Sequence, residues 1–465
     1  MLLSTLSSDD HSDRLSTESN TWVSGAHILS WANSDAVNSW RAPLVGKRVG
    51  IRLGDDHALA RTLLALDGFA SALILLPNEL ATDSVVTIQQ NAKLDCLIAE
   101  TIESNLVGCN NLVPCPPVIS QVPPSDNSHE TAAGDISTQW ILTTSGTTRQ
   151  PRLVAHSVAS LSRTVKKGSA SSAKHVWALL YDLNRFAGLQ VFLQAIIGGD
   201  AIYIPNERNP IDRLVQELIA AKCSAISATP TLWRKILMSK EARHIPIRQI
   251  TLGGEIADQP ILNALGHMFP NSNIRHIYAS TEAGVGFSVS DGCEGFPLDY
   301  LQSGFRGTRM RVSGDGILEL QPQSGDQSYV ASSQPLFEED GFINTGDRVR
   351  VTENRVYFLG RDSGAINVGG NKVQPESIER VLLAHPAVAM AKVTGKKNPI
   401  TGALVHASVT LKDESSEKTD ASGLRAWCTE RLARHEVPAI ISIVDELKIE
   451  SSGKLSRRQD SNPSA

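Results

Sequence analysis

The sequence predicts an α/β protein with two domains. The N-terminal domain is expected to hold doubly wound α/β lobes and a small β subdomain, and a small, mobile α+β domain follows it. Strand and helix patterns alternate through the first half of the chain, which is typical of parallel sheets covered by helices. With 465 residues the chain is also longer than one hydrophobic core usually organises. We place the boundary after Arg361, which gives domains over 1–361 and 362–465.

The first lobe begins with a β-α-β pattern. Apolar residues form short runs in the predicted strands and recur at helical spacing between them. The predicted strands are 46–53, 72–76 and 96–99, and the predicted helices are 57–69 and 81–92. The stretch 113–129 holds five prolines among polar residues, so we predict an exposed linker there.

The second lobe repeats this alternation. Its predicted strands are 176–181, 201–204, 224–228, 250–252 and 274–279. One helix is predicted to start within 154–164, and two further helices cover 186–197 and 211–221. In doubly wound sheets, ligands bind beyond the carboxyl ends of the strands. A binding site is therefore expected where these strands end.

The last third of the chain contains shorter units. Strand-and-turn patterns over 304–356 predict the small β subdomain. The C-terminal domain follows with predicted helices 376–384 and 421–434, and with predicted strands 388–393, 404–411 and 440–444. Pro375 suits the first turn of the first of these helices. The polar run 413–420 is expected to be a solvated loop.

Composition indicates a globular protein of the cytoplasm. Hydrophobic residues make up 41% of the chain, charged residues 20%, and the net charge of −5 argues against nucleic acid or an anionic membrane as a general partner. The six cysteines contain no CxxC pair, which favours free thiols over a disulfide or zinc framework. Residues 1–20 lack the pattern of a signal peptide, and no apolar run is long enough to span a membrane.

A hydroxyl-rich turn, TTSGTTRQPR over 143–152, is the first candidate for chemistry. Small residues let a backbone approach an anion, and hydroxyl and N–H groups donate to phosphate oxygens. The turn lacks the Gly-Lys-Ser/Thr triplet of a Walker loop. By itself it fits an ordinary polar surface turn as well as a phosphate loop.

Six further motifs follow this turn in order. They are Gly253-Gly254-Glu255, Tyr278-Ala279-Ser280-Thr281-Glu282, Asn344-Thr345-Gly346-Asp347, Gly360-Arg361, Gly369-Gly370-Asn371-Lys372 and Ser452-Gly453-Lys454. Together the motifs resemble the adenylate-forming superfamily of acyl- and aryl-CoA synthetases, peptide-synthetase adenylation domains and luciferases, across roughly residues 45–458. The resemblance implies ATP-dependent activation of a carboxylic acid to an acyl-adenylate, with release of pyrophosphate, followed by transfer to a thiol.

The resemblance also assigns the phosphate side of the site. The residues that would hold the β- and γ-phosphates are Thr144, Ser145, Gly146, Thr147, Thr148 and Arg152. Glu282 and Thr144 would bind Mg²⁺, and Thr281 would contact the α-phosphate. Arg149 stands where the family usually has glycine, a change that could grip pyrophosphate or stiffen the loop.

The nucleoside side is assigned in the same way. The resemblance places Gly253, Gly254, Glu255 and Tyr278 along the adenine and gives Asp347 both ribose hydroxyls, with Arg361 beside it. A carboxylate suits two hydroxyl donors, although a Thr-Gly-Asp sequence alone is a frequent turn.

The C-terminal domain would act as a lid that carries the catalytic lysine. The resemblance implies that Lys454 bridges the attacking carboxylate and the α-phosphate. It also implies that Gly369, Gly370 and Lys372 approach the phosphopantetheine thiol after a rotation about Ser363. No carrier domain follows Lys454, so a stand-alone enzyme is expected.

The acid pocket is expected to be lined by 181–188, Thr229 and 283–287, with His156 as a structural partner for the loop. The expected partners are a small carboxylic acid and CoA. A carrier-protein phosphopantetheine is the alternative acceptor. A further alternative is a nucleotide-binding homologue whose turnover is weakened by Arg149.

Overall fold

The structure is a computed structural model that describes residues 2–7, 10–100, 112–119, 134–144, 151–166, 174–323, 326–398, 402–412, 419–449 and 453–455. Its helices are α1 (Gly25–Ala32), α2 (Asp35–Arg41), α3 (Asp56–Leu66), α4 (Thr82–Ala92), α5 (Val158–Ser162), α6 (Phe186–Gly198), α7 (Ile211–Ala220), α8 (Pro230–Met238), α9 (Gln259–Met268), α10 (Tyr300–Ser303), α11 (Pro375–Leu383) and α12 (Ala421–Thr429).

The strands of the N-terminal part are β1 (Asp13–Ser16), β2 (Trp22–Ser24), β3 (Arg48–Arg52), β4 (Ala72–Leu75), β5 (Cys96–Ala99), β6 (Leu112–Val113), β7 (Gln139–Thr143), β8 (Leu153–His156), β9 (Val176–Leu179), β10 (Ala201–Tyr203), β11 (Ala225–Ala228), β12 (Gln249–Gly253), β13 (Asn273–Ser280), β14 (Gly284–Val289), β15 (Phe296–Pro297), β16 (Arg309–Val312), β17 (Ile317–Gln321), β18 (Ser328–Tyr329), β19 (Ile343–Val351) and β20 (Arg355–Arg361). The later strands are β21 (Ile366–Val368), β22 (Asn371–Val373), β23 (Val388–Asn398), β24 (Gly402–Leu411) and β25 (Ile440–Ile443).

Two large sheets form the N-terminal part, as the sequence predicts. One has the order β18-β8-β7-β4-β3-β5-β6, with β3, β4, β5, β6 and β7 parallel. The other has the order β14-β13-β12-β11-β9-β10-β1-β2, with β9 to β13 parallel. Long apolar runs in these strands are buried on both faces, which explains the parallel pairing.

The N-terminal residues join the second sheet instead of lying apart from it. Strand β1 pairs in parallel with β10, with Leu15 opposite Ile202. Leu2, Leu3 and Leu6 are buried in the same core, and the amide of Leu2 donates to Asp67 Oδ2 at 2.7 Å. The sequence analysis did not predict this strand.

The small β subdomain and the C-terminal domain each have their own sheet. The subdomain sheet has the order β15-β20-β19-β17-β16, and the C-terminal sheet has the order β22-β21-β24-β23 with β25 beside β24. Helices α11 and α12 contribute Ile378, Leu382 and Leu424 to the C-terminal core. The predicted fold class is confirmed.

Two local predictions are wrong, and a third is correct only in part. The helix predicted to start within 154–164 begins in that range, at Val158 with Ser157 as its cap. The stretch 153–156 before it is strand β8, because its four side chains are buried and the backbone pairs with β7. Helix α12 ends at Thr429 and not at 434. The part of the proline-rich stretch that the structure describes is packed against the body, since Trp31 and Trp40 donate to the carbonyls of Pro117 and Pro114.

The described cysteines are all free thiols, with Cys96, Cys223 and Cys428 buried. In the part of the chain that the structure describes, no helix combines the length and the apolarity needed to cross a membrane.

Candidate active site

One large cleft, of about 1570 Å³, lies where the carboxyl ends of β12 and β13 meet the small β subdomain and the C-terminal domain. Parallel strands end together at one edge of the sheet, so the loops after them converge there. The predicted site residues that line the cleft are Thr144, Gly253, Gly254, Glu255, Tyr278, Thr281, Glu282, Asp347, Arg361 and Lys454.

Strands β7 and β8, which flank the hydroxyl-rich turn, pair as an antiparallel hairpin. The amide of Thr144 donates to the carbonyl of Arg152 at 2.9 Å, and this bond holds the base of the turn. Thr144 is buried and lines the cleft. The predicted phosphate ligands Ser145, Gly146, Thr147 and Thr148, and also Arg149, lie outside the described residues.

Arg152 lies on the outer side of this hairpin. Its guanidinium is exposed and donates to Tyr329 Oη at 3.2 Å and to Gln334 Oε1 at 3.0 Å. It does not line the cleft in this conformation. Its predicted role toward the phosphates stays a prediction that requires the side chain to turn.

Tyr278, Asp347 and Arg361 form one hydrogen-bonded group. The phenol of Tyr278 donates to Asp347 Oδ2 at 2.5 Å, and Arg361 Nε donates to Asp347 Oδ1 at 3.1 Å. Each carboxylate oxygen keeps a second lone pair for another donor. The carboxylate is therefore held in place by two protein donors and retains acceptor capacity toward the cleft.

The ring of Tyr278 packs nearly parallel to those of Phe287 and Phe358, with centroids at 5.3 Å and 5.1 Å. The two phenylalanine centroids are 6.4 Å apart. Tyr278 is only half-buried and lines the cleft, so part of its surface is open to a ligand.

Thr281 and Glu282 follow β13, and a hydrogen bond from His156 holds this segment in place. The ring Nε2 of His156 donates to the carbonyl of Thr281 at 2.8 Å. Burial lowers the pKa of His156 to about 4, which keeps the ring neutral at neutral pH. With its proton on Nε2, the neutral imidazole positions the segment that holds Thr281 and Glu282. That His156 has a structural role and is not a base stays a prediction.

Lys454 enters the cleft from the C-terminal domain. Its chain is docked by Thr229, whose Oγ1 donates to the carbonyl of Gly453 at 2.5 Å. The same oxygen accepts from the amide of Leu232 and caps α8. A methyl group on Gly254 would lie 3.3 Å from Lys454 Cε, so the bare glycine leaves room for the lysine.

Thr229 itself was predicted to line the acid pocket, and that prediction is wrong. The residue is fully buried, because its side chain is enclosed between the first turn of α8 and the chain at Gly453. Glu255 also has a structural contact, since its Oε2 accepts from the amide of Thr231 at the start of α8 at 3.0 Å.

The predicted thiol-side residues lie away from the cleft. Gly369 and Gly370 form the turn between β21 and β22, and Lys372 follows in β22. Asp362 Oδ1 accepts from Arg348 Nε at 2.7 Å and from Lys372 Nζ at 3.4 Å. This carboxylate links β19 to the C-terminal domain next to Ser363, the predicted hinge.

The predicted acid pocket is lined only in part by the residues expected. Tyr181, Phe186 and Ala187 line the cleft, whereas only Val285 does so within 283–287. Phe287 is instead fully buried in the core of the β subdomain. Sequence reasoning missed most of the polar lining of this region, which includes Lys166, His175, Gln190, Gln194, Asp200, Arg275 and Arg306.

The AMP-binding enzyme family matches residues 45–322, and the AMP-binding enzyme C-terminal domain matches residues 377–454. The 2-succinylbenzoate–CoA ligase of Bacillus velezensis is 27% identical over 347 residues, which cover 69% of this chain and 68% of the ligase.

Two solved structures share the fold. A crystal structure of an anthranilate CoA ligase in complex with anthranoyl-AMP has a TM-score of 0.80 at 18% identity and covers 98% of this chain and 94% of the ligase. The O-succinylbenzoate coenzyme A synthetase from Bacillus subtilis, in complex with ATP and magnesium ion, has a TM-score of 0.71 at 20% identity, covering 98% of each chain.

Proposed function

The chain belongs to the AMP-binding enzyme family, and on that premise we propose that it is an AMP-forming acid:thiol ligase of the acyl- or aryl-CoA synthetase type. ATP activates a carboxylic acid as an acyl-adenylate with release of pyrophosphate, and the acyl group then passes to CoA. The observation that carries this proposal is the cleft in which Lys454 of the C-terminal domain meets Thr281, Glu282 and Asp347 of the N-terminal part.

The nucleoside would be held by the tyrosine and the carboxylate that the structure joins. Asp347 accepts the two ribose hydroxyls with the lone pairs that Tyr278 and Arg361 leave, while the ring of Tyr278 lies along the adenine. Both side chains are positioned before the nucleotide arrives, so little conformational entropy is lost on binding.

The phosphate side needs positive charge where the α-phosphate is attacked. Lys454 reaches the cleft past Gly254 and supplies a compact ammonium to the attacking carboxylate and the α-phosphate oxygens. Phosphoryl-type transfer depends mainly on positioning and charge neutralisation, so no protein nucleophile is required. Thr281 and the turn that begins at Thr144 would donate hydrogen bonds to phosphate oxygens.

The donor set at this end fits Mg²⁺. Glu282 offers one carboxylate and Thr144 one hydroxyl on the cleft wall. Mg²⁺ in nucleotide sites is usually held by one or two carboxylates, with substrate phosphates and waters as the other ligands. Within the described ranges no group of three or more His, Cys, Asp or Glu could hold a metal, so ATP and water would supply most ligands. The ion neutralises phosphate charge when bound.

We also propose the domain boundary after Arg361, with rotation about Ser363 between the two half-reactions. In support of it, β20 ends at Arg361, a single turn over Asp362–Gly364 follows, and β21 already belongs to the C-terminal sheet. Rotation would withdraw Lys454 and bring Gly369, Gly370 and Lys372 toward the acceptor thiol. The cytoplasmic location stays a prediction from the sequence.

Pyrophosphate release with a panel of carboxylic acids tests the proposal. Release that depends on both ATP and an acid is expected, and thioester should form when CoA is added. A carrier protein in place of CoA tests the alternative acceptor. Saturable ATP binding without pyrophosphate release from any acid would instead support a nucleotide-binding homologue.

A further inference from the structure

The cleft extends down one face of the second sheet, away from the predicted phosphate site. Along β13, Arg275, Ile277 and Ala279 alternate onto one face of the strand and line the cleft, as do the intervening His276, Tyr278 and Ser280. The β12 residues Gly253, Thr251 and Gln249 line it with the same alternation. Four residues of strand correspond to about 13 Å, so Arg275 lies at the far end of a deep groove.

Three cations line this far end. Arg275 comes from β13, Arg306 from the loop after α10, and Lys166 from the chain that follows α5. They are close enough to affect one another: burial, and then the charge of Arg306, lower the pKa of Arg275. Burial, and then Arg275 and Arg306, lower the pKa of Lys166.

Other arginines that line the cleft have carboxylate partners. Arg185 contacts Asp182 and Glu79, Arg234 pairs with Asp258, and Arg361 pairs with Asp347. For Lys166, Arg275 and Arg306, no side-chain hydrogen bond or ion pair to another described residue is found, and Arg275 Nε is buried without a partner. Lys166 and Arg306 are exposed, whereas Arg275 is half-buried, and a half-buried cation without an anion is less stable than one whose charge a ligand balances.

We propose that these three cations bind a second carboxylate on the acid substrate, which is therefore a dicarboxylic acid. The inference rests on the proposed function, because it assumes that the other carboxylate is activated near Lys454. Arginine binds a carboxylate through paired N–H donors, and a substrate that spans the groove would place one charge at each end. Arg275 would also disfavour acids whose far end is apolar, since further desolvation of its half-buried charge without an anion is unfavourable.

The test compares each diacid with its own monomethyl ester. The two compounds share length and shape, but the ester lacks the second charge. In a series of α,ω-dicarboxylic acids of increasing length, pyrophosphate release is expected to show an optimum. At that length kcat/KM should exceed the value for the half-ester by about 10- to 100-fold, as expected for a charge-assisted contact.

Variants locate the discrimination. Arg275→Gln should reduce the diacid:half-ester ratio toward one by slowing the diacid alone, and Arg306→Gln, at an exposed position, should lower it without affecting folding. Arg350→Gln changes an exposed arginine that does not line the cleft and should leave the ratio unchanged. The KM for CoA should not change in any of these variants.

A binding measurement separates this inference from the proposed function. The preferred diacid should raise the melting temperature of the ATP-free protein, and Arg275→Gln should abolish that shift. If no acid releases pyrophosphate, the proposed function fails. The shift in melting temperature caused by the diacid then decides by itself whether these cations bind a carboxylate. Equal rates for diacids and half-esters, an equal loss for both in Arg275→Gln, a raised KM for CoA, or no diacid-dependent shift would each overturn the inference.

Discussion

The two ends of the cleft differ in how their charges are balanced. At the activation end, Asp347 has two protein donors, and Lys454 is docked through Thr229 and Gly453. At the far end, Lys166, Arg275 and Arg306 line the cleft, and among the described residues no hydrogen bond or ion pair joins their side chains to a carboxylate. One end is organised by the protein before any ligand binds, whereas the other has positive charge that a ligand must balance.

From this difference we expect substitutions at one end to slow the activation of every acid and substitutions at the other end to slow the activation of particular acids. Removing a preorganised group at the activation end should slow the reaction of all acids equally, because it acts on ATP or on the α-phosphate. Removing a cation at the far end should act only on acids that carry a second charge. The following predictions test the first half of this contrast.

The largest effect is expected for Lys454→Ala. Neutralising charge at the α-phosphate is worth roughly 3 to 4 kcal/mol, so adenylate formation should fall by about two to three orders of magnitude for diacid and half-ester alike. Transfer from a supplied acyl-adenylate to CoA should remain largely intact, because Lys454 is withdrawn in that step. Single-turnover assays of both steps measure this.

Lys397→Ala, an exposed lysine of the same domain, is the matched control and should leave both steps unchanged. If both half-reactions fell together in folded Lys454→Ala, then the assignment of the lysine to the first step would be wrong.

Asp347→Ala should raise the KM for ATP by about tenfold or more. The change removes the acceptor of two hydroxyls and leaves the phenol of Tyr278 and the guanidinium of Arg361 without their shared partner. The diacid:half-ester ratio should stay the same. The KM for ATP of Asp347→Asn, which keeps one acceptor oxygen, should lie between the values of the unchanged protein and of Asp347→Ala. An unchanged KM for ATP in both variants would refute the ribose assignment.

Thr229→Val should slow adenylate formation by about 2- to 10-fold, which corresponds to one hydrogen bond. The valine cannot donate to Gly453 or cap α8, so the docked position of Lys454 is weakened. Transfer from a supplied adenylate should not change, whereas a purely structural defect would reduce both steps. Thr229→Ser keeps the hydroxyl and should restore adenylation.

The smallest effect on rate is expected for His156→Gln, because an amide can still donate to the carbonyl of Thr281. Its effect should appear in stability against pH. The pKa of His156 is lowered from 6.5 to about 4, so the unfolded chain binds a proton that the native protein does not. The free energy of unfolding should therefore decrease as the pH falls from about 6.5 to about 4.

In His156→Gln, the difference in bound protons between the unfolded and native states should be smaller by up to one. Denaturant unfolding across this pH range measures it as a shallower dependence of the free energy of unfolding on pH. An identical slope in both proteins would show that His156 is not the group that titrates.

Much of the architecture could be predicted from the sequence. Alternating strand and helix patterns predict the two parallel sheets, and short motifs predict Asp347, Glu282 and Lys454 as members of one site. The stretch after the hydroxyl-rich turn shows the limit: the predicted helix begins at Val158, within 154–164, but the strand over 153–156 was missed because it forms by pairing with β7. Strand β1 was missed because only its partner β10, which is distant in the sequence, makes it a strand.

The sequence by itself determined the order of the elements and the chemistry of each motif, because period, turn residues and motif spacing are properties of neighbouring residues. Only the tertiary structure decided that Thr229 docks Gly453 and that Lys166, Arg275 and Arg306 meet. Arg275, Ile277 and Ala279 share one face of β13, so the strand pattern could have placed Arg275 on the same face as the other two. That Lys166 and Arg306 line the same part of the cleft as Arg275 could not be predicted, because packing between distant segments brings these residues to one place.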